Sequence, residues 1–579
     1  MVTAAAGRLL HGQRLAHGVL TASTALATLC AWLTLLAFRG LDDNRLTSWQ
    51  WAFADAPVAG LAGILAAAMA LTWALCRAAP PERHAVPLLG LAAFLAAALF
   101  WREPEVIVDA ARYFTQAKHL AVHGVGAFLS DWGRAMPVWT DLPLVPFLYG
   151  LLFAVWGEGR APAQAFTALC LSGTVLLTYG IGRRLWDGSV GLHGGALLLG
   201  MPYLLTQVPL MLVDVPTMFF LTLAVWAAIA AIQDGGSVRL ALASAALALA
   251  LLSKYTAWLL SSVVPVIALV HPRGRSRGAL GRAAAIVTAS GLVVGALAVA
   301  RLEVASAQLG LLWSYQLPGL GRWRESLAST FLFQIHPFVT VAAAWGAALA
   351  VHRRDWRFAI LAWPPLLLLA LGAGRSRYII PALPMLALMA ACGLRSIARP
   401  EIRRFAAACI VVASLLVAVL GYLPYLTRTS AVNLMAAGAY LDALDADVVE
   451  VLVLPQPGSG VNPAVSVPLL DLHTAKRLVA RVEPPASAQP EEIERSPLRF
   501  TWAYVLPAYY APGAASPSGP GTRVLILARP DQPLTAGVED ALRGYRLERA
   551  FEVREPWFRY GTVLRVYRQA EVAAAGGRS

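Results

Sequence analysis

Asp109, Arg112 and Tyr113 put an anion, a cation and a phenol within one helical turn of each other, in a polar stretch (Trp101 to Gly159) that interrupts a chain otherwise built from apolar spans. Side chains three or four apart share a helix face, so the three could meet one ligand. A carboxylate there could take a proton and the arginine could steady developing negative charge. Asp141, between Trp139 and Pro143, adds a weaker candidate, a loop carboxylate whose plainer role is an interfacial cap. An isolated Asp at a membrane boundary would merely be solvated; the company Asp109 keeps favours function.

A second set of charges lies within or beside the apolar runs. Asp214 interrupts VPLMLVDVPTMFF, where an ionised group costs a few kcal/mol unless it is partnered or wet. A helix cap ahead of Pro216 is the plainer alternative. Lys254 is the only charge in LALLSKYTAWLL, and snorkelling to lipid headgroups accounts for it as well as function does. Arg375, Arg377 and Tyr378 precede IIPALPMLALMA, where two arginines could grip a phosphate or anchor the helix against anionic lipid. His336, before Pro337, reads as packing. Cys30, Cys76, Cys170, Cys392 and Cys409 fall in apolar runs without zinc spacing and read as small core hydrophobes.

What must position these residues is a membrane frame. Of 579 residues 58% are hydrophobic and only 14% charged, which excludes an ordinary soluble chain. The net charge of +14 sits mostly in short loops, where Lys and Arg set topology, so nucleic acid is not an expected partner. About thirteen apolar runs are read as transmembrane helices, near residues 17–37, 56–76, 85–101, 162–182, 190–209, 213–232, 239–253, 256–271, 282–300, 331–351, 358–373, 379–396 and 404–423. The first is too long for a signal peptide and is read as retained. Threading them alternately puts Arg183–Arg184 and the basic loops 271–282, 352–357 and 395–404 on one side, the cytoplasm, with the N-terminus. The first outer loop (102–161), the loop 301–330, the segment 374–378 and the C-terminal tail then face outward, into the periplasm of a bacterial inner membrane.

Inside the first outer loop, DLPLVPFLYGLLFAVWGEG is too short to cross and reads as an interfacial helix, with Trp139, Tyr149 and Trp156 at headgroup level. After about Leu423 the composition shifts. VVEVLVL (448–454), RVLILA (523–528) and TVLRVY (562–567) read as strands and NLMAAGAYLDAL (433–444) as a helix, giving a small extracytoplasmic α/β domain with a loop at PGAASPSGPG.

Two or three carboxylates and several cations on one outer face suit transfer of a glycosyl group from a polyprenyl phosphate to a lipid, glycan or protein acceptor. The departing lipid phosphate is already a stable anion, so cations or a divalent metal must hold it, and one carboxylate must take the acceptor's proton. Carboxylates with water can bind a metal without a sequence signature, so Asp109 and Asp214 are the candidates if one is used.

The ordered series DAARYFTQAKHL, PLVPFLYGLLFAVWG, TYGIGRRLWDG, LVDVPTMFF, LALLSKYTAW and SRYIIPALPMLALMAACG resembles the GT-C membrane glycosyltransferases of the protein O-mannosyltransferase and aminoarabinose lipid A transferase type (glycosyltransferase family 39). The resemblance implies a GT-C transmembrane catalytic domain over 85–425, extra helices over 1–84 and the extracytoplasmic domain over 426–579. It matches Asp109 to the family's essential Asp, Asp214 to its later Asp, Lys254 to the Lys of its turn, and Arg377, Tyr378, Pro381 and Pro384 to its R-Y-x-x-P-x-x-P signature. Two departures stand out: Ala110 replaces an acidic residue common in relatives, and Thr140-Asp141-Leu142-Pro143 lacks the lysine that aminoarabinose transferases carry. The implied activity is an inverting hexosyl- or pentosyltransferase with Asp109 as base, Asp214 as orienting carboxylate and Lys254, Arg375 and Arg377 as phosphate partners. The alternatives are a transporter or lipid flippase, which would carry its charges at mid-bilayer depth and have paired broken helices, and a non-catalytic GT-C relative.

Overall fold

The computed structural model describes residues 2–77, 82–270, 277–483, 493, 496, 498–511 and 521–570. The chain divides into two compact units, one made of Met1–Trp101, Ala165–Pro209 and Val213–Tyr425, the other of Arg102–Gln164, Leu210–Leu212 and Leu426–Ser579.

The first unit is helical. Among the described residues seven helices are long and apolar enough to cross a bilayer: Gly18–Ala37, Val58–Cys76, Arg160–Leu185, Asp214–Asp234, Gly278–Ala300, Ser376–Leu394 and Pro400–Leu426. An eighth counts if Ser329–Ile335 and Pro337–Arg353, bent by 120°, form one span. The protein is an integral membrane protein. Four other expected spans are shorter apolar helices, Arg83–Ala98, Ser237–Ser253, Tyr255–Val270 and Phe358–Ala370. Two of the runs expected to be continuous are broken at a proline. Gly188–Leu198 and Pro202–Gln207 replace one helix over 190–209, with Met201 extended before Pro202. His336 is extended (φ 173°) before Pro337, because proline disfavours the helical region for the residue ahead of it.

Close helix crossings hold this unit. A Cβ on Gly393 would lie 1.9 Å from the Ala342 carbonyl oxygen, so the helices Pro337–Arg353 and Leu383–Leu394 touch backbone to backbone. The N-terminal helices are locked in by a buried loop. Asp42 accepts from Trp49 N at 2.7 Å, Ser329 Oγ at 2.5 Å and Gln334 Nε2 at 2.7 Å. Burial raises its carboxyl to about 6 despite those donors. Trp32 stacks on Trp49 at 5.1 Å and 11°.

The second unit contains a five-stranded sheet, β1 Val448–Val453, β2 Arg477–Val482, β3 Thr522–Leu527, β4 Tyr545–Phe551 and β5 Val563–Gln569, in the order β2-β1-β3-β5-β4. β1 runs parallel to both β2 and β3, while β5 is antiparallel to β3 and β4. The three strands expected from sequence are the central ones. RLVARV and YRLERAF were not anticipated because both are edge strands, whose charged outward positions mask the apolar alternation. The expected helix is present as Ala431–Asp442. The PGAASPSGPG loop, apart from Gly521, lies outside the described residues.

Glu555 caps this helix's approach, accepting from Ser430 N at 2.5 Å and Ser430 Oγ at 3.2 Å. Burial outweighs those donors and raises its carboxyl from 4.5 to about 7. The folded unit therefore binds more protons than the unfolded chain between those values, so its stability falls as pH rises from about 4.5 to 7. Glu555→Gln is expected to flatten that slope in thermal unfolding measured across the window. An unchanged slope would mean the group titrates normally.

The first long loop is built from two helices, Asp109–Asp131 and Leu144–Trp156. They pack at Gly150, where a Cβ would stand 2.7 Å from Leu120 Cβ and 2.9 Å from the Ala117 carbonyl oxygen. Gly150→Ala is expected to cost about 1–3 kcal/mol by forcing the helices apart, read as a lowered unfolding temperature. Tyr149 corrects an expectation: it is fully buried and donates to the Leu212 carbonyl at 2.9 Å instead of facing headgroups. The outer face of its helix carries Leu151, Val155 and Trp156, the last 69% exposed.

Candidate functional site

The residues singled out from sequence fall into two constellations, one in each unit. In the first unit, Asp214 opens the helix Asp214–Asp234. Lys254 is the single residue between the helices Ser237–Ser253 and Tyr255–Leu260, and its extended backbone (φ −163°, ψ 145°) breaks the apolar run at the one charged position. Arg377 lies in the 3-10 turn Ser376–Ala382. Lys254 Nζ donates to Asp214 Oδ1 at 2.5 Å and Arg377 Nε to Oδ2 at 2.7 Å. Asp214 is fully buried and both its oxygens are taken by cations. Neither capping nor snorkelling describes this geometry.

Tyr378 gathers more charge here. Its ring lies 5.9 Å from Lys254 Nζ and 6.0 Å from Arg375 Cζ, and Arg375 also stacks over Trp323 at 4.0 Å. The backbone carrying Arg375 and Arg377 is held by Glu325, which sequence reasoning did not single out. Glu325 accepts from Ser376 N at 2.5 Å and Arg45 N at 3.2 Å, and Asn44 Nδ2 donates to Ser376 Oγ at 3.2 Å. The constellation has two cations, Lys254 and Arg375, beside the Tyr378 ring, with Asp214 as the carboxylate that pairs Lys254 with Arg377.

In the second unit, Asp109 begins its helix with its side chain 15% exposed, 4.0 Å from Arg112 Nη2. Arg112 Nη2 donates to Asp141 Oδ1 at 2.9 Å, and Gln116 Nε2 to Asp141 Oδ2 at 3.0 Å. Asp141 is thus a buried hub and not an interfacial cap. Burial pulls the Arg112 guanidinium down, but Asp141 and Asp109 together outweigh it and keep it above its ordinary value. Tyr113 is buried beside it, ring 5.9 Å from Arg112 Cζ.

The comparisons with known proteins speak to the fold. Residues 137–299 match the family model described as dolichyl-phosphate-mannose-protein mannosyltransferase. ArnT from Cupriavidus metallidurans bound to undecaprenyl phosphate superposes with a TM-score of 0.51 over 85% of this chain and 99% of its own, at 15% identity. The fold is that of the GT-C membrane glycosyltransferases. The apo form of the same ArnT gives 0.48 at 14% identity, over 83% of this chain and 97% of its own. Archaeal oligosaccharyltransferase AglB from Archaeoglobus fulgidus, in complex with an inhibitory peptide and a dolichol-phosphate, gives 0.38 at 13%, over 54% of this chain and 50% of its own. No curated protein sequence matches the chain. The resemblance read from the ordered motifs is borne out.

At Asp214 the donor set does not fit a divalent metal, because Lys254 and Arg377 take both its oxygens. Among the described residues no three of His, Cys, Asp or Glu group as metal ligands.

One further cluster was invisible to sequence reasoning. Lys118, on the same helix as Asp109, reaches Glu158 and Asp471, each at 2.7 Å, and Tyr510 donates to Asp471 at 2.5 Å. Burial raises the Asp471 carboxyl while Lys118 pulls it back. Residues more than 350 positions apart carry no local periodicity that could announce the contact.

Proposed function

We propose that the protein is an inverting glycosyltransferase that moves a hexosyl or pentosyl unit from a polyprenyl-phosphate donor to an acceptor at the outer face of the membrane. The observation that carries this reading is the linked set of cations in which Lys254 and Arg375 flank Tyr378 and the fully buried Asp214 holds Lys254 and Arg377 in place. Fixed cations that need no reorganisation are what a departing lipid phosphate requires as its charge grows. Asp214 acts as the orienting carboxylate, and Lys254, Arg375 and Arg377 as phosphate partners.

In the proposed reaction the acceptor hydroxyl loses its proton to Asp109 as its oxygen bonds to the anomeric carbon. The bond from that carbon to the phosphate oxygen breaks through an oxocarbenium-like state, and the lipid phosphate leaves with the electron pair. A single displacement of this kind inverts the anomeric centre. Arg112, buried next to Asp109 and tied to Asp141, positions the base, while Tyr113 lines the same helix face.

The test is transfer of labelled sugar from polyprenyl-phosphate-sugars by the purified protein in lipid nanodiscs, wild type against Asp109→Asn. Sugar released from the lipid by the wild type only is the expected result. Equal turnover by both removes Asp109 from the mechanism, and no turnover of any donor by the wild type removes the transferase reading.

A further inference from the structure

A pocket of about 140 Å³ opens in the second unit, beside the helix that carries Asp109. Its polar wall includes Arg112, Gln116 and His119, and its aromatic wall Phe500, Trp139 and Tyr504. At roughly 10–15 Å³ per water position it accommodates on the order of ten waters, about the room a monosaccharide ring takes.

Two polar side chains on that wall, both bonded to Asp141, keep other atoms unmatched. Arg112 Nε and Nη1 and Gln116 Oε1 are buried without a hydrogen bond, although Arg112 is only 8% and Gln116 only 1% exposed. Buried donors and acceptors left unpaired are costly, and here donors and an acceptor are left over together. The charge balance decides what would satisfy them. Arg112 already faces Asp141 at 2.9 Å and Asp109 at 4.0 Å, and His119 faces Asp131 at 2.9 Å. Carboxylates outnumber the arginine, so an anion entering here would be repelled as much as held. A hydroxyl is different, because it accepts from Arg112 and donates to Gln116 without adding charge. Phe500 packs over the Arg112 guanidinium at 4.7 Å, giving the pocket a flat apolar side next to its polar one. Hydroxyls on the rim and an apolar face are the two surfaces of a pyranose ring.

We propose that this pocket is a subsite for an uncharged pyranose unit, held through its hydroxyls by Arg112 and Gln116 and through its ring face by Phe500. The inference rests on the transferase reading and deepens it by naming the substrate class. The ring could come from the lipid-linked donor or from an acceptor glycan, and both present the same chemistry.

The experiment is saturation-transfer NMR on the full chain in nanodiscs, with methyl α-mannoside and methyl β-glucoside as neutral probes and methyl glucuronide and inorganic phosphate as anionic ones. A neutral glycoside is expected to bind and the anions not. Gln116→Met and Phe500→Leu, both close in volume to the native residues, are each expected to weaken binding about tenfold, the loss of one good contact. Anions binding in preference to glycosides, or glycoside binding that neither variant changes, overturns the proposal. Displacement of the glycoside by polyprenyl-phosphate-sugar, but not by polyprenyl phosphate, assigns the subsite to the donor's sugar; persistence assigns it to the acceptor. Binding is read without turnover, so the two ideas fail separately. Glycoside binding without transfer leaves the subsite standing alone, and transfer unaffected by glycoside leaves only the enzyme.

Discussion

Asp214→Ala is expected to destabilise the helical unit by about 3–5 kcal/mol, the cost of removing one member of a buried charge set. Asp214 accepts from Lys254 and Arg377 through separate oxygens, and the Arg377 side chain is only 5% exposed. Without the carboxylate, two cations face each other where little water reaches, and Arg377 in particular has no short route to solvent. Asp214→Asn keeps the volume and one acceptor but not the charge, so it should fall between wild type and Asp214→Ala. The deciding comparison is the double variant Asp214→Ala/Arg377→Met, which removes the orphaned charge together with its partner. It is expected to unfold at a higher temperature than Asp214→Ala alone, a coupling that additive effects cannot produce. Equal unfolding temperatures for wild type and Asp214→Ala would mean that the clamp contributes nothing to stability.

The same clamp shows why part of this protein could be read from its sequence. Asp214 and Lys254 each interrupt an apolar run, and an ionisable side chain in such a run must be partnered or wet, so its position alone announces it. Asp42, Asn44 and Glu325 do equal structural work in polar loops, where a charge is ordinary background, and nothing in their neighbourhoods distinguishes them. Long apolar helices were legible from composition, but their breaks at Met201 and His336 depend on a single following proline. Tyr149 sat in an aromatic-marked amphipathic segment and looked like a headgroup anchor; only the packing of that helix at Gly150 shows the ring turned inward. Asp141 was ranked low because a loop carboxylate has no periodicity, yet it joins Arg112 to Gln116. Local patterns therefore reported which residues were unusual for their segment, and said little about residues that matter through contacts hundreds of positions away.

Asp109→Asn is expected to lower kcat by about 10²–10⁴, the range that a positioned general base supplies, with almost no change in unfolding temperature. The contrast follows from the geometry. Arg112 makes its 2.9 Å hydrogen bond to Asp141, while Asp109 stands 4.0 Å away with its side chain 15% exposed. Replacing Asp109 by its isosteric amide therefore spares the Arg112–Asp141–Gln116 hydrogen bonds, gives up one charge 4.0 Å from Arg112, and removes the capacity to accept a proton. The Michaelis constant for the lipid donor should stay near wild type, because an interaction made only in the transition state affects kcat and kcat/KM equally. Asp141→Asn should behave in the opposite way. It strips the charge from the buried hub that Arg112 and Gln116 both use, so the unfolding temperature should fall along with the rate. A pair of variants in which Asp109→Asn loses stability as much as activity would make Asp109 another structural carboxylate, and the proton would need a different acceptor.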